Sequence, residues 1–143
     1  MNTQRLAQQL LVDEGLRLKP YRCPAGRLTI GVGRNLDDRG ITEAEALVLL
    51  DNDITDFSAR LVAALPWVAQ APDAVQEALT NMAFNLGLAG LLQFKTALGL
   101  LQSGAYVRAA EALLDSAWAR QVGARAVRLA EMVRDARGHA AQA

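Results

Sequence analysis

Glu14 is the first side chain in the sequence whose position could serve chemistry. Leucines recur before it at helical spacing, and Gly15 follows as a residue that can end a helix in the left-handed conformation. Glu14 is therefore predicted at a helix C-terminus, where unpaired carbonyl groups favour the neutral form of a carboxylic acid. Such an acid could donate a proton to a leaving oxygen, although Glu14 taken alone is explained more simply as a solvated surface carboxylate.

Cys23 and Thr29 follow in a segment with a different periodicity. Apolar and small residues alternate from Leu28 to Gly33, and Pro24-Ala25-Gly26 is typical of a turn, so this segment predicts a small, glycine-rich β-hairpin. Cys23 is the single cysteine, which fits a reducing compartment, and taken alone it is explained more simply as a small packed side chain. Thr29 could be a strand residue chosen for packing, but its place on the glycine-rich face favours exposure.

These residues stand in a pattern that closely resembles the phage-type lysozymes of glycoside hydrolase family 24. In that family a glutamate is followed nine residues later by aspartate or cysteine, and six residues after that by threonine. Here the three positions are Glu14, Cys23 and Thr29. The resemblance extends over most of the chain, roughly 3–138. Around these three positions the resemblance includes Asp13 to Tyr21 and Gly26 to Gly33. Further along the chain, Asn81 to Gly87 resembles the family's cleft helix, and Trp118, Arg125 and Arg128 resemble its C-terminal signature.

The resemblance implies an α+β, lysozyme-like fold that is mainly helical. We expect one domain over 1–143, with a small β-hairpin lobe at about 13–42 and a long bridging helix at about 42–65 that leads to a helical C-terminal lobe. That lobe is expected at about 66–138, packed with a first helix at 3–14. Because the link that precedes the bridging helix is short, we expect the reduced sheet of the smaller family members.

The sequence itself also predicts the long helix. Thr42-Glu43-Ala44-Glu45 has the capping-box spacing that satisfies two amide groups at a helix start. A helix over 42–65 would be roughly 35 Å long at 1.5 Å per residue, which is longer than a small core needs. Apolar residues recur along it at intervals of three and four: Leu47, Leu50, Ile54, Phe57, Leu61 and Ala64.

The same resemblance implies an inverting muramidase. Such an enzyme hydrolyses the β-1,4 bond between N-acetylmuramic acid and N-acetylglucosamine in peptidoglycan and lyses the host cell. Glu14 would protonate the leaving oxygen, and Thr29 would help to hold the attacking water. Cys23 stands where aspartate is more common, and it could be a base, a nucleophile or a spectator, because a free thiol is mostly protonated at neutral pH. No cofactor is expected for acid-assisted hydrolysis of this kind.

Two arginines are expected to support the acid. By resemblance, Arg125 should lie near Glu14 and orient its carboxyl group, and Arg128 should lie close to Asp13. A cation beside Glu14 opposes the effect of the helix end, so the sequence does not give the sign of the combined effect on this acid.

Further contacts are predicted for the substrate and between elements. By resemblance, Phe84, Asn85 and Asn35 are expected to contact sugar, although core packing explains Phe84 equally well. Arg34 occupies a position that often carries histidine in the family, and we expect an ion pair with Asp53 that fastens the hairpin to the long helix.

The composition limits the partners. Fifteen Lys and Arg balance fifteen Asp and Glu, so no broad positive field favours nucleic acid. The N-terminal segment is not typical of a secretory signal, and no apolar run approaches the roughly 20 residues that span a bilayer, so stable membrane insertion is not expected. No histidine and cysteine cluster has metal-ligand spacing, which disfavours a zinc amidase, and His139 lies in an aperiodic end, 138–143, that we expect to fray.

We therefore expect a monomer that binds the glycan strands of peptidoglycan. It would be made in the cytoplasm of the host bacterium and would depend on a holin for release to the periplasm. Three alternatives remain open. One is a wall-binding module of the same fold with impaired catalysis, the second a lytic transglycosylase, which needs one acid but no positioned water, and the third a helical interaction or DNA-binding protein.

Overall fold

The computed structural model describes residues 1–136, so His139 and the end at 138–143 lie outside the described residues. Within 1–136 the chain forms seven α-helices, one 3-10 helix and a three-stranded antiparallel sheet, which confirms the predicted α+β class. In chain order the elements are α1 (Thr3–Glu14), β1 (Arg17–Arg22), β2 (Leu28–Gly31), β3 (Arg34–Asn35), α2 (Glu43–Ala64), the 3-10 helix (Pro66–Gln70), α3 (Asp73–Leu91), α4 (Lys95–Gln102), α5 (Tyr106–Leu114), α6 (Ala117–Val122) and α7 (Ala124–Arg134).

The chain divides into two compact units. The first is Met1–Leu50 and the second begins at Asp51, so the boundary falls inside α2. The helix bounds agree with the predicted 42–65 to within one residue at either end. That α2 joins two lobes on either side of a glycan-binding cleft stays a prediction.

Helix α1 ends at Glu14, as its sequence predicts, although Gly15 has ψ 166° and so is not in the left-handed helical conformation. The side chain of Asn2 caps its start by accepting a hydrogen bond from the Arg5 amide at 2.9 Å. At the other end Gly15 adopts φ 75°, and its amide donates to the Leu11 carbonyl oxygen at 3.0 Å. Because glycine adopts positive φ without the cost of a Cβ, the helix can stop at Glu14 and the chain can turn directly into β1.

The predicted hairpin is present, with one more strand than predicted. The amide of Gly26 donates to the Cys23 carbonyl oxygen at 2.8 Å, which closes a four-residue turn with Pro24 in its second position. This turn joins β1 to β2 in an antiparallel pair. A third strand, β3, pairs with the other edge of β2, with Thr29 opposite Asn35. The sequence does not predict β3, because two residues are too few to show an alternating pattern.

The second unit has a core of packed helices. Helix α7 packs against α5, α3 and α6, and α5 packs against α4. Many of the buried residues are alanines, which permit a close approach of helix backbones. Among residues 1–136 no single helix is long and apolar enough to cross a membrane, whereas α3 and α4 meet that criterion together but are bent by 115°. The largest fully buried side chains of this unit are Leu61, Leu79, Met82, Leu91, Leu113, Val68, Val75 and Val133.

The capping box at the start of α2 is confirmed, and its glutamate has a second role. The Glu45 amide donates to Thr42 Oγ1 at 3.1 Å, and the Thr42 amide donates to Glu45 Oε1 at 2.9 Å. Arg34 also binds this carboxylate, with Nη1 2.9 Å from Oε1 and Nη2 2.8 Å from Oε2. The ion-pair partner of Arg34 is thus Glu45, and the expected pairing with Asp53 is wrong. Glu45 is favoured because the capping box already fixes its side chain close to the loop that follows β3.

We predict that Glu45→Gln destabilises the protein at neutral pH and that this effect shrinks in acid. Hydrogen bonds from Arg34, and smaller ones from Thr42, lower the pKa of the Glu45 carboxyl from 4.5 to about 2. A carboxyl group whose pKa is lowered by folding contributes stability that is complete above its unfolded pKa and is lost as the pH falls through its folded pKa. The difference in urea-unfolding free energy between parent and variant should therefore decline between pH 4.5 and about pH 2.

Glu43→Gln is the matched control, because Glu43 is an exposed glutamate in the first turn of the same helix. The Glu43→Gln variant shows how the unfolding free energy changes when one charge in the first turn is lost but the ion pair with Arg34 is kept. Equal losses from the two substitutions, or a Glu45→Gln loss that persists unchanged to pH 2, would contradict the role given to the ion pair.

Candidate active site

Glu14 lies at the last position of α1, directly against the backbone of Gly33. A Cβ atom at position 33 would lie only 3.0 Å from Oε2 of Glu14 and 3.2 Å from its Cδ. Gly33 itself adopts φ +69°, in the region that favours glycine. The carboxyl group therefore occupies space that any other residue at position 33 would partly fill.

Cys23 is held at the start of the turn between β1 and β2. Its amide donates to the Arg27 carbonyl oxygen at 3.0 Å, and its own carbonyl oxygen accepts from Gly26. With both main-chain groups bonded, the position of the Cys23 Cα is fixed by the turn, and the side chain is half-buried. The thiol is free, as expected of a single cysteine.

Thr29 lies in the central strand, β2, and is 4% exposed. The expected exposure of this side chain is therefore wrong: β2 is the central strand, and Thr29 is flanked by Tyr21 of β1 and Asn35 of β3. Its Oγ1 donates to the Arg27 carbonyl oxygen at 2.8 Å. That same oxygen accepts the amide of Cys23, so one carbonyl group joins the two predicted catalytic residues.

Hydrogen bonding lowers the pKa of the Cys23 thiol from its ordinary value of 9.0. The largest cause is the backbone of Arg27, which stabilises the thiolate, and partial burial opposes it. The backbone of Ala25 and the side chain of Thr29 lower the pKa by less. The single proton of the Thr29 hydroxyl points to the Arg27 carbonyl oxygen, which explains why the main chain dominates. The turn thus favours the reactive form of the sulfur.

Asn35 lies in β3 but its side chain is engaged locally. Its Nδ2 donates to Asp38 Oδ2 at 2.9 Å, and its Oδ1 accepts the Asp38 amide at 3.0 Å. Both ends of the amide are therefore used to shape the loop after β3. A sugar contact by Asn35 stays a prediction.

The predicted supporting arginines lie on α7. Arg125 binds Asn81 of α3, with Nε 2.9 Å and Nη2 2.7 Å from Oδ1, and Nη2 also donates to the Asn81 carbonyl oxygen at 3.2 Å. This fork fixes the guanidinium group on the surface of the second unit. Arg128 is exposed, as is Asp13 at the end of α1. The expected pairs of Arg125 with Glu14 and of Arg128 with Asp13 stay predictions.

Phe84 and Asn85 lie on the exposed side of α3. Phe84 is 42% exposed, and its ring packs against that of Phe57 at 5.2 Å between centroids. Oδ1 of Asn85 accepts a hydrogen bond from Nε1 of Trp118 at 2.8 Å, so the two donors of its amide nitrogen remain for another group. The arrangement offers a partly apolar ring beside a fixed polar amide, which suits a sugar. Binding itself stays a prediction.

Sequence analysis missed the roles of Gly33 and Asn81. Gly33 belongs to the glycine-rich hairpin segment, and two glycines spaced by one residue, Gly31 and Gly33, are a signal of close backbone approach. Asn81 opens the segment resembling the cleft helix, but nothing in the sequence pairs it with Arg125. Within 1–136 no group of three histidine, cysteine, aspartate or glutamate side chains is placed to hold a metal ion.

The chain is similar to known phage proteins along most of its length. The family described as phage lysozyme matches residues 12–136. The chain is 31% identical over 157 aligned positions to the pre-baseplate central spike protein Gp5 of Enterobacteria phage T4, covering 90% of this chain and 27% of the spike protein. It is 37% identical over 81 positions to an endolysin of Acyrthosiphon pisum secondary endosymbiont phage 1, covering 52% of each. The family match covers most of the chain, including Glu14, Cys23 and Thr29, and the chain therefore belongs to the phage lysozyme family.

Proposed function

We propose that the protein is a glycosidase that hydrolyses the β-1,4 bond between N-acetylmuramic acid and N-acetylglucosamine in peptidoglycan. The observation that carries the proposal is the family match over 12–136, within which Glu14 ends α1 against Gly33. The endolysin among its relatives supports the same substrate class. The chain spans about half of that relative and about a quarter of the spike protein, so the proposal concerns the chemistry of this domain.

Glu14 acts as the general acid. Its proton passes to the leaving glycosidic oxygen as the bond to the anomeric carbon breaks, and the residue ends as a carboxylate. A water molecule supplies the new bond to that carbon, and the Cys23 thiolate accepts the proton that the water loses. Exchange with solvent then returns the proton to Glu14. Atoms and charge balance without a cofactor.

Thr29 supports this reaction through Cys23. Its hydroxyl proton is used by the Arg27 carbonyl oxygen, and its side chain is nearly buried, which favours a positioning role over direct contact with the attacking water. Arg125 and Arg128 are proposed to orient the carboxyl groups of Glu14 and Asp13, and Phe84 and Asn85 to bind sugar.

We further propose an endolysin role in host lysis, supported by the endolysin relative. A holin would then release the protein from the host cytoplasm to the periplasm, where it would act as a monomer on glycan strands. Lysis of a host that expresses the protein with and without a co-expressed holin measures this dependence.

Glu14→Gln is expected to slow clearing of chloroform-treated Gram-negative cells by about 10²- to 10⁴-fold, the usual contribution of a general acid. The substitution is isosteric and removes only the transferable proton. Glu43→Gln, which changes an exposed glutamate of the same unit, serves as the control and should leave clearing unchanged. A folded Glu14→Gln protein as active as this control would exclude the proposed chemistry.

Cys23→Asp should keep activity, and Cys23→Ser should lose most of it. Aspartate supplies a charged base at neutral pH, whereas a serine hydroxyl keeps its proton. Clearing rates of the two variants, with mass spectra of the products, test this. Reducing-end muramic acid is expected, whereas anhydro sugar would indicate transglycosylation, and full activity of Cys23→Ser would make the sulfur a spectator.

Alkylation of Cys23 by iodoacetamide should show a midpoint pH below that of the same thiol in the urea-unfolded chain, because hydrogen bonding lowers its pKa. Thr29→Val should move the midpoint upward, since it removes one of the groups that lower the pKa. Thr29→Ser retains the hydroxyl and is the matched control. Identical midpoints in the folded and unfolded chains would refute the effect of the turn.

A further inference from the structure

The Glu14 carboxyl group is not held by hydrogen bonds within its own unit. Among residues 1–50 no group donates a hydrogen bond to it or forms an ion pair with it. Glutamate has a flexible side chain, and a displacement of about 1 Å can cost a catalytic group about 100-fold in rate. Where this acid lies therefore depends on Arg125, if the orienting role proposed above holds, and on the packing of the Glu14 side chain within its own unit.

Position 33 lies beside the outer half of the Glu14 side chain. A Cβ at this position would lie 3.0 Å from Oε2, 3.2 Å from Cδ and 3.4 Å from Cγ of Glu14. The outer half of the glutamate side chain thus runs along the side of Gly33 on which any other residue carries its Cβ. The glycine brings the backbone close enough to limit the side chain and leaves room for the carboxyl group.

We propose that Gly33 is a positioning residue for the general acid: its backbone limits the Glu14 side chain, and its missing side chain leaves the space that the carboxyl group needs. The inference rests on the proposed role of Glu14 and adds a second residue to it. A methyl group at position 33 would displace the carboxyl group, because the end of a flexible side chain moves more easily than the backbone of the turn between β2 and β3.

Gly31 provides a matched comparison in the same segment. Gly31 and Gly33 both have φ +69°, so alanine is strained equally at either position. A Cβ at Gly31, however, meets no atom within 4 Å. The two substitutions therefore share the backbone cost, and only the one at position 33 crowds Glu14.

The experiment compares Gly33→Ala with Gly31→Ala in unfolding midpoint, kcat and KM on purified glycan strands. We expect similar losses of unfolding midpoint in both. Gly33→Ala alone should lower kcat by up to about 10-fold with little change in KM, as expected for a slightly misplaced catalytic group. Adding Gly33→Ala to Glu14→Gln should cost no further activity, because the group that it displaces no longer acts.

Equal kcat losses in the two alanine variants, or a further loss when Gly33→Ala is added to Glu14→Gln, would overturn the inference. Full activity of Glu14→Gln would instead overturn the proposed function itself, so the two failures are distinct. Should Gly33→Ala not fold, a nuclear Overhauser contact between the Gly33 α-protons and the Glu14 γ-protons of the parent protein is the second test. Its presence supports the inference, and its absence overturns it.

Discussion

The approach of Glu14 to the Gly33 backbone closes a loop of chain that leaves α1, passes along β1 and β2 and returns to where it began. The closure has three requirements. Helix α1 must end at Glu14, which the positive φ of Gly15 permits. The pairing of β1 with β2 must hold its register, because a shift by one residue would bring a different backbone group, with a side chain, against the acid. Gly33 must lack a Cβ. The position of the carboxyl group thus depends on the end of α1, on the strand register and on the glycine at position 33.

The next residue extends this constraint to α2. Arg34 binds both oxygens of Glu45, whose Oε1 also accepts the Thr42 amide, so one carboxylate joins β3 to the first turn of the helix. Arg34 directly follows Gly33, so this ion pair holds the backbone in place on the C-terminal side of Gly33. The pairing of β2 with β1 holds it on the N-terminal side. The lowered pKa of Glu45 reflects the same contacts, since each donor stabilises the ionised carboxylate.

Local features of the first unit could be predicted from the sequence, whereas partners distant in sequence could not. The end of α1 at Gly15, the turn at Pro24 and the capping box at Thr42 each depend on residues a few positions apart, so pattern and propensity determine them. By sequence alone, several carboxylates could have paired with Arg34, and the structure is needed to identify Glu45 as its partner. The burial of Thr29 depends on β3, which is too short to give a pattern, and the binding of Arg125 to Asn81 joins two helices far apart in sequence.

The lowered pKa of the Cys23 thiol has two opposing effects on its use as a base. Lowering the pKa of the thiol increases the fraction present as thiolate, but it also weakens the thiolate as a proton acceptor. In the proposed hydrolysis the useful pKa lies near the working pH, where availability and basicity are both adequate. The Arg27 carbonyl oxygen links the surroundings of the sulfur to the sheet, because it accepts hydrogen bonds from both the Cys23 amide and the Thr29 hydroxyl. If Cys23 is the base, as proposed, the turn and β2 would adjust its pKa, and Thr29 would contribute to that adjustment although its hydroxyl is buried.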